Sequence, residues 1–351
     1  MTYVGARQNT AKQLATILGY DKLKIEDTVL FSASLNQANN QFIQGLSRLQ
    51  TNSTEFVTAN KLWVHSELKL LEGFSQTVKD CFLASLGIVN FVETPEDARG
   101  IINTWVKELT KGKIEDLIQP GILDQETKLV LTNAVYFKGS WLHAFKKEDT
   151  MDMPFNVGKE NKVTAKMMRM KTKKDVRYYE NEELQVLGLP YNDNRLVMTV
   201  VLPRKVDGIE SVIGSMRDDP SQLKKWIDAS YIQREISILF PKIKMSFYAE
   251  FNEILSSLGV NEMFDDVLAD FSGITKERLL KVKCILQKAF LEVDEEGTEA
   301  AAATAVVMKT RCMPLRPIEF NANHPFVFFI ADTETKAILF WGKVQDPTVI
   351  S

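Results

Sequence analysis

Cysteine and histidine are scarce, with three of each in 351 residues. Cys81, Cys284 and Cys312 are far apart and odd in number. They match no disulfide framework and no metal-ligand spacing. Free thiols in a reducing compartment are the expectation. His65, His143 and His324 share no motif, so each reads as a structural or surface residue and not as a base. Long apolar runs are missing. No stretch approaches a membrane span, and the N-terminal MTYVGARQNTAKQLATILGY lacks the apolar core of a signal peptide. No sign of charge dominates either: 43 Lys and Arg face 46 Asp and Glu, a net charge of −3. That balance gives no general pull toward nucleic acid or an anionic membrane. GxGxxG, P-loop, HExxH and GxSxG motifs are all absent. No enzymatic activity, no cofactor and no metal site are expected.

What is there is an ordinary globular composition, 45% apolar and 25% charged. A chain of this length can bury a large core without disulfides. No repeat, low-complexity linker or charge block interrupts it, so residues 1–351 read as one domain. Helices and strands mix without regular alternation, which predicts an α+β fold. The first half is mainly helical. Leu35, Ala38, Phe42, Leu46 and Leu49 recur at helical spacing, as do Leu71, Phe74, Val78, Cys81 and Phe82. Thr94-Pro95-Glu96-Asp97 has a capping Thr, a first-turn Pro and acids at the positive end of the dipole. Ala98, Ile101, Ile102, Trp105 and Leu109 then predict one apolar stripe, with Gly112 as the stop.

From about residue 127 strands dominate. The run 129–137 is nearly all apolar, which suits a strand covered on both faces. Asn133 is its polar exception and needs partners if buried. Segments 184–190 and 196–202 predict a hairpin, as do 325–331 and 337–344. A short helix is expected near 248–258, ending at Gly259. The basic run Lys166, Arg169, Lys171, Lys173, Lys174 and Arg177 lacks interleaved aromatics. A solvated strand edge or a polyanion site would both fit it. Asn52-Ser53-Thr54 is a glycosylation sequon, without meaning if the chain is cytosolic.

The unusual stretch is EEGTEAAAATAVVMKTRCMP, 295–314. Ala favours helix, so an exposed helix or flexible loop is one reading. Strand phase gives another. In a strand, Thr298, Ala300, Ala302, Thr304 and Val306 share one face, and the sole charge, Glu299, falls on the other. Small uncharged residues can slip between two strands of a preformed sheet, where a charge would be buried unpaired. Gly297 supplies a hinge. Arg311, beside Cys312, would then be bait for a trypsin-like protease.

TNAVYFKGSW (132–141), EEGTEAAAATA (295–305), NHPFVFFI (323–330) and ILFWGKV (338–344) together resemble the serpin family, over Met1 to about Pro347. The details are similar to its ovalbumin-type, leaderless inhibitory branch. The resemblance implies a serpin fold: a large mixed central β-sheet, further sheets, a mainly helical N-terminal half and an exposed reactive loop at 295–314. It implies suicide-substrate inhibition of a trypsin-like serine protease through a covalent complex. The reactive bond would be Arg311–Cys312. The hinge would be Glu295, Glu296, Gly297, Thr298, Glu299, Ala300, Ala301, Ala302, Ala303, Thr304 and Ala305. Seventeen residues from Glu295 to Arg311 match the family's inhibitory hinge length and favour Arg311 over Lys309. Glu295, Lys242, Trp141, Asn133 and Gln287 match its sheet-opening region. Gln287 departs from the His that many members carry, but keeps a donor and an acceptor.

Cys312 reads either as a small residue the protease tolerates or as a thiol activated by nearby cations. The resemblance also implies a monomer, in the cytoplasm or released without a leader. It predicts no nucleic-acid partner, no membrane insertion and weak or no heparin binding, because the helix around 35–50 has only Arg48 as a basic residue. A non-inhibitory binding or carrier protein of the same fold is the alternative, although such members tend to have bulky or charged hinges. The first helix and the start of the second are expected to be missing, leaving an uncovered apolar groove near Met1.

Overall fold

A computed structural model describes residues 1–23, 28–51, 53–82, 86–173, 176–192, 194–230, 232, 234–277, 280–296 and 316–349. Helices α1 (Thr2–Gly5), α2 (Gln8–Ile17) and α3 (Thr28–Ser47) lead to strand β1 (Thr54–His65). Helix α4 (Glu72–Phe82), strand β2 (Leu86–Val89), helix α5 (Pro95–Leu109) and strand β3 (Leu129–Gly139) follow. Strands β4 (Met151–Asn156), β5 (Lys162–Thr172), β6 (Arg177–Glu180), β7 (Leu184–Pro190) and β8 (Leu196–Pro203) come next, with no helix between them among the described residues. Next come α6 (Ile209–Asp218), α7 (Ser221–Ile227), β9 (Ile236–Pro241), β10 (Ile243–Glu250) and α8 (Asn252–Ser257). The chain ends with β11 (Cys284–Val293), β12 (Ile318–Asn321), β13 (Phe326–Asp332) and β14 (Ile338–Val344).

Among the described residues the strands form three sheets: β10-β11-β3-β1-β2, β12-β9-β5-β4 and β14-β13-β8-β7-β6. The α+β expectation holds, as do both predicted hairpins. β7 pairs antiparallel with β8 and β13 with β14. Every residue of β8 and β13 is buried, which explains runs that are apolar except for Thr199 and Asp332.

The chain forms two compact units. One comprises Met1–Thr51, Phe56–Phe137 and Ser246–Phe290, and the other Asn52–Glu55, Lys138–Met245 and Leu291–Ser351. In the first, Trp63, Phe91, Ile102, Val106, Tyr136 and Leu286 anchor one apolar cluster. Leu62, Phe74, Val78, Phe271, Ile274 and Val282 anchor a second, against which Met1 packs. Gly87 on β2 is required by close approach: a Cβ there would meet the Trp63 ring at 2.0 Å. In the second unit, Val186, Val201, Trp226, Val327 and Phe329 form the core with the helices α6 and α7.

Four local expectations need correction. Thr94 does precede α5, but its hydroxyl makes no cap bond and instead donates to the Asn90 carbonyl. The buried line of α5 is Ala98, Ile102 and Val106, spaced by four, while Ile101 and Leu109 are exposed. On α3, Phe42 is 48% exposed. Asn40 donates to the Asp80 carbonyl of α4 and so faces that helix; two residues on, about 200° around, Phe42 points away. The helix near 248–258 is shorter than expected because β10 runs to Glu250. Gly112, at φ +75°, and Gly259, at φ +94°, do sit at helix ends.

Candidate functional site

The described part of the 295–314 segment is its start, Glu295 and Glu296. Arg311, Cys312 and hinge residues Gly297, Thr298, Glu299, Ala300, Ala301, Ala302, Ala303, Thr304 and Ala305 lie outside the described residues. The geometry leading into that segment is well defined. β11 delivers the chain through Val293 to three consecutive acids, Asp294, Glu295 and Glu296.

Alternating direction splits these acids between two anchors. Glu295 is 5% exposed. The Lys242 Nζ donates to its Oε2 at 2.8 Å, and the Thr150 hydroxyl donates to its Oε1 at 2.8 Å. Both carboxylate oxygens are therefore satisfied. Burial pushes the pKa of Glu295 up, but the two donors outweigh it and hold the carboxyl below the ordinary range. Asp294 and Glu296 turn to Lys138, whose Nζ lies 3.0 Å from Asp294 and 2.8 Å from Glu296. Burial alone would lower the Lys138 pKa; the two carboxylates reverse that and raise it.

Trp141 fixes the backbone of the same three residues. Its indole N–H donates to the Asp294 carbonyl at 2.8 Å, and its backbone N–H donates to the Glu296 carbonyl at 3.0 Å. The ring is buried. It stacks on Tyr191 with centroids 4.6 Å apart and meets Phe145 edge-on at 6.2 Å. Lys242 and Glu295 line an open cleft of about 680 Å³ together with Thr150, Asp152, Lys166 and Lys244.

The predicted residues Glu295, Lys242 and Trp141 are thus brought together. Asn133 and Gln287 belong to the first unit. The Asn133 side-chain amide N–H donates to the side-chain Oδ1 of Asn60, while its own Oδ1 is buried without a partner among the described residues. Gln287 is half-buried and makes no such bond to Asn133. Next to Asn133, the Thr132 hydroxyl accepts the Trp63 indole N–H at 2.9 Å. Sequence reasoning missed Thr150, Lys138, Asp294 and Asn60. Lys138 lies inside the motif TNAVYFKGSW, which is a signal; Thr150 has none, because its partner is far along the chain.

Among the described residues, no cluster of His, Cys, Asp and Glu could hold a metal ion, and no helix is long and apolar enough to cross a membrane. His324 is buried, with Nε2 2.6 Å from the Pro203 carbonyl oxygen. Cys284 is buried and its thiol pKa is pushed up to about 12 by burial, so it is no nucleophile.

The profile of the family described as Serpin (serine protease inhibitor) matches residues 1–347. The chain belongs to the serpin family. A leukocyte elastase inhibitor of Xenopus tropicalis is 37% identical over 99% of this chain and 89% of its own length. The human leukocyte elastase inhibitor is 35% identical, with the same coverages. The crystal structure of uncleaved ovalbumin matches with a TM-score of 0.85 and 28% identity, over 99% of this chain and 89% of that one. The fold is therefore the serpin fold, as the motifs implied.

Proposed function

We propose that this serpin inhibits trypsin-like serine proteases as a suicide substrate, with Arg311–Cys312 as the reactive bond. The protease serine attacks the Arg311 carbonyl, the peptide bond to Cys312 breaks, and the protease base protonates the leaving amine. The resulting acyl-enzyme links the protease to Arg311. Residues 297–310 then enter the central sheet as a new strand and carry the protease with them, and its distorted site cannot deacylate. About ten new backbone hydrogen bonds at ~1 kcal/mol each supply on the order of 10 kcal/mol. The uncleaved form is a kinetic trap.

The observation that carries this reading is the anchoring of Asp294, Glu295 and Glu296 by Lys138, Lys242, Thr150 and Trp141. It holds the chain immediately before Gly297, which supports a strand that moves from that point. The small, uncharged residues from Gly297 to Ala305, apart from Glu299, support the same reading. Glu295, Lys242, Trp141, Asn133 and Gln287 would form the region where the sheet opens.

The relatives named leukocyte elastase inhibitor favour a second reading, in which the target is an elastase-type protease. Incubation with trypsin and, separately, with elastase followed by denaturing electrophoresis distinguishes them. A covalent complex with trypsin supports the first reading. A complex with elastase alone supports the second. Clean cleavage without complex and without a gain in thermal stability would overturn both and favour a non-inhibitory binding or carrier role.

A further inference from the structure

The basic run of β5 and its neighbours is not used by this mechanism, and the fold divides it. Lys166 is paired with Asp152 at 2.9 Å and Lys173 with Glu235 at 3.6 Å. Arg177 donates to the Ile227 carbonyl at 2.9 Å. Lys174 lies outside the described residues. Arg169 and Lys171 remain. They occupy alternate positions of β5, about 7 Å apart along the strand, and both are exposed. Among the described residues neither has a side-chain hydrogen bond or ion pair.

Both line an open cleft of about 730 Å³, within the size range of small-ligand sites. Its opposite wall is the segment leading from Trp141 to β4, which contributes His143 and Lys146. Lys146, like the other two cations, has no side-chain partner among the described residues. Among the described lining residues Asp149 is the only acid, and Ala144 and Met170 also line the cleft. Two distant stretches of sequence therefore bring three unpaired cations and an imidazole around one concavity. The neighbouring cations Lys166 and Lys173 are neutralised, which bounds the site at both ends.

We propose that this cleft binds a compact ligand carrying two or more tetrahedral oxyanions, as phosphate or sulfate esters on a ring. Arg169 supplies a planar fork for one oxyanion, and Lys171 and Lys146 supply point charges for the others. The bounded row of free cations selects a compact ligand over an extended polyanion.

The test is titration calorimetry of the whole chain at low salt, with inositol hexaphosphate and a fully sulfated heparin disaccharide as separate probes. The expected result is one-to-one binding of at least one probe; which one binds identifies the ester. Arg169→Ser with Lys171→Ser should weaken it roughly tenfold or more, since charge-assisted hydrogen bonds are lost. Lys166→Ser with Lys173→Ser should leave affinity within about twofold, since those cations are already paired. Lys146→Ser is the independent variant on the opposite wall and should also weaken binding. Melting curves without ligand confirm that each variant is folded. No binding of either probe at millimolar concentration overturns the proposal. So does equal weakening in the Lys166/Lys173 variant, or several probes per chain, either of which means diffuse attraction.

Discussion

Glu295 shows how a buried charge is kept ionised. Its carboxylate is enclosed, yet each oxygen accepts a hydrogen bond, one from Lys242 and one from Thr150. Because its folded pKa is held below the unfolded value of about 4.5, it contributes stability above that pH. That contribution is lost as pH falls through the lower, folded value. Melting curves from pH 6 to pH 3 should therefore fall more steeply for the native chain than for Glu295→Gln. Parallel curves would show that the pairing does not stabilise the fold. Lys242→Ala leaves the carboxylate with one donor and should cost about 1–2 kcal/mol by chemical denaturation, since half-exposed Lys242 can be partly replaced by water.

Elements were legible where local pattern and burial agree. The β7–β8 and β13–β14 hairpins have apolar runs flanking polar turn residues, and both formed as expected. α5 was legible as a helix but not by its buried face. Two apolar rows lie side by side on it, 98–102–106 and 101–105–109, and sequence alone does not say which the core takes. Ile102→Ala should destabilise by about 2–5 kcal/mol and Ile101→Ala by under about 0.5 kcal/mol, read from urea denaturation. Comparable losses would contradict the assigned face. Of the candidate site, Glu295, Lys242 and Trp141 were legible through resemblance. Thr150 and Asn60 were not, because each bonds to a residue far along the chain, Glu295 and Asn133, that no local pattern pairs with it. The inserting face proposed for 297–310 is tested by Thr298→Arg. A buried, unpaired guanidinium should slow insertion and turn an inhibitor into a substrate, seen as cleaved chain without complex. Unchanged complex formation would contradict the face assignment.

At the scale of the whole molecule, the sequence showed no linker, and the structure explains why. Four of the five boundaries between its two compact units fall inside β1, β3, β10 and β11, and the fifth, at Thr51/Asn52, lies just before β1, so none coincides with a stretch of linker composition. Family membership sets the fold. The proposed inhibition depends on that fold changing after one bond is cut, with anchors at Lys138, Lys242 and Trp141 holding the start of the moving strand. The most direct test is the intact mass of the product formed with trypsin under denaturing conditions. The prediction is one species equal to trypsin joined to residues 1–311, less the water lost in forming the ester, with residues 312–351 released. Free trypsin with two cleaved fragments, or an acyl link at another residue, would contradict it.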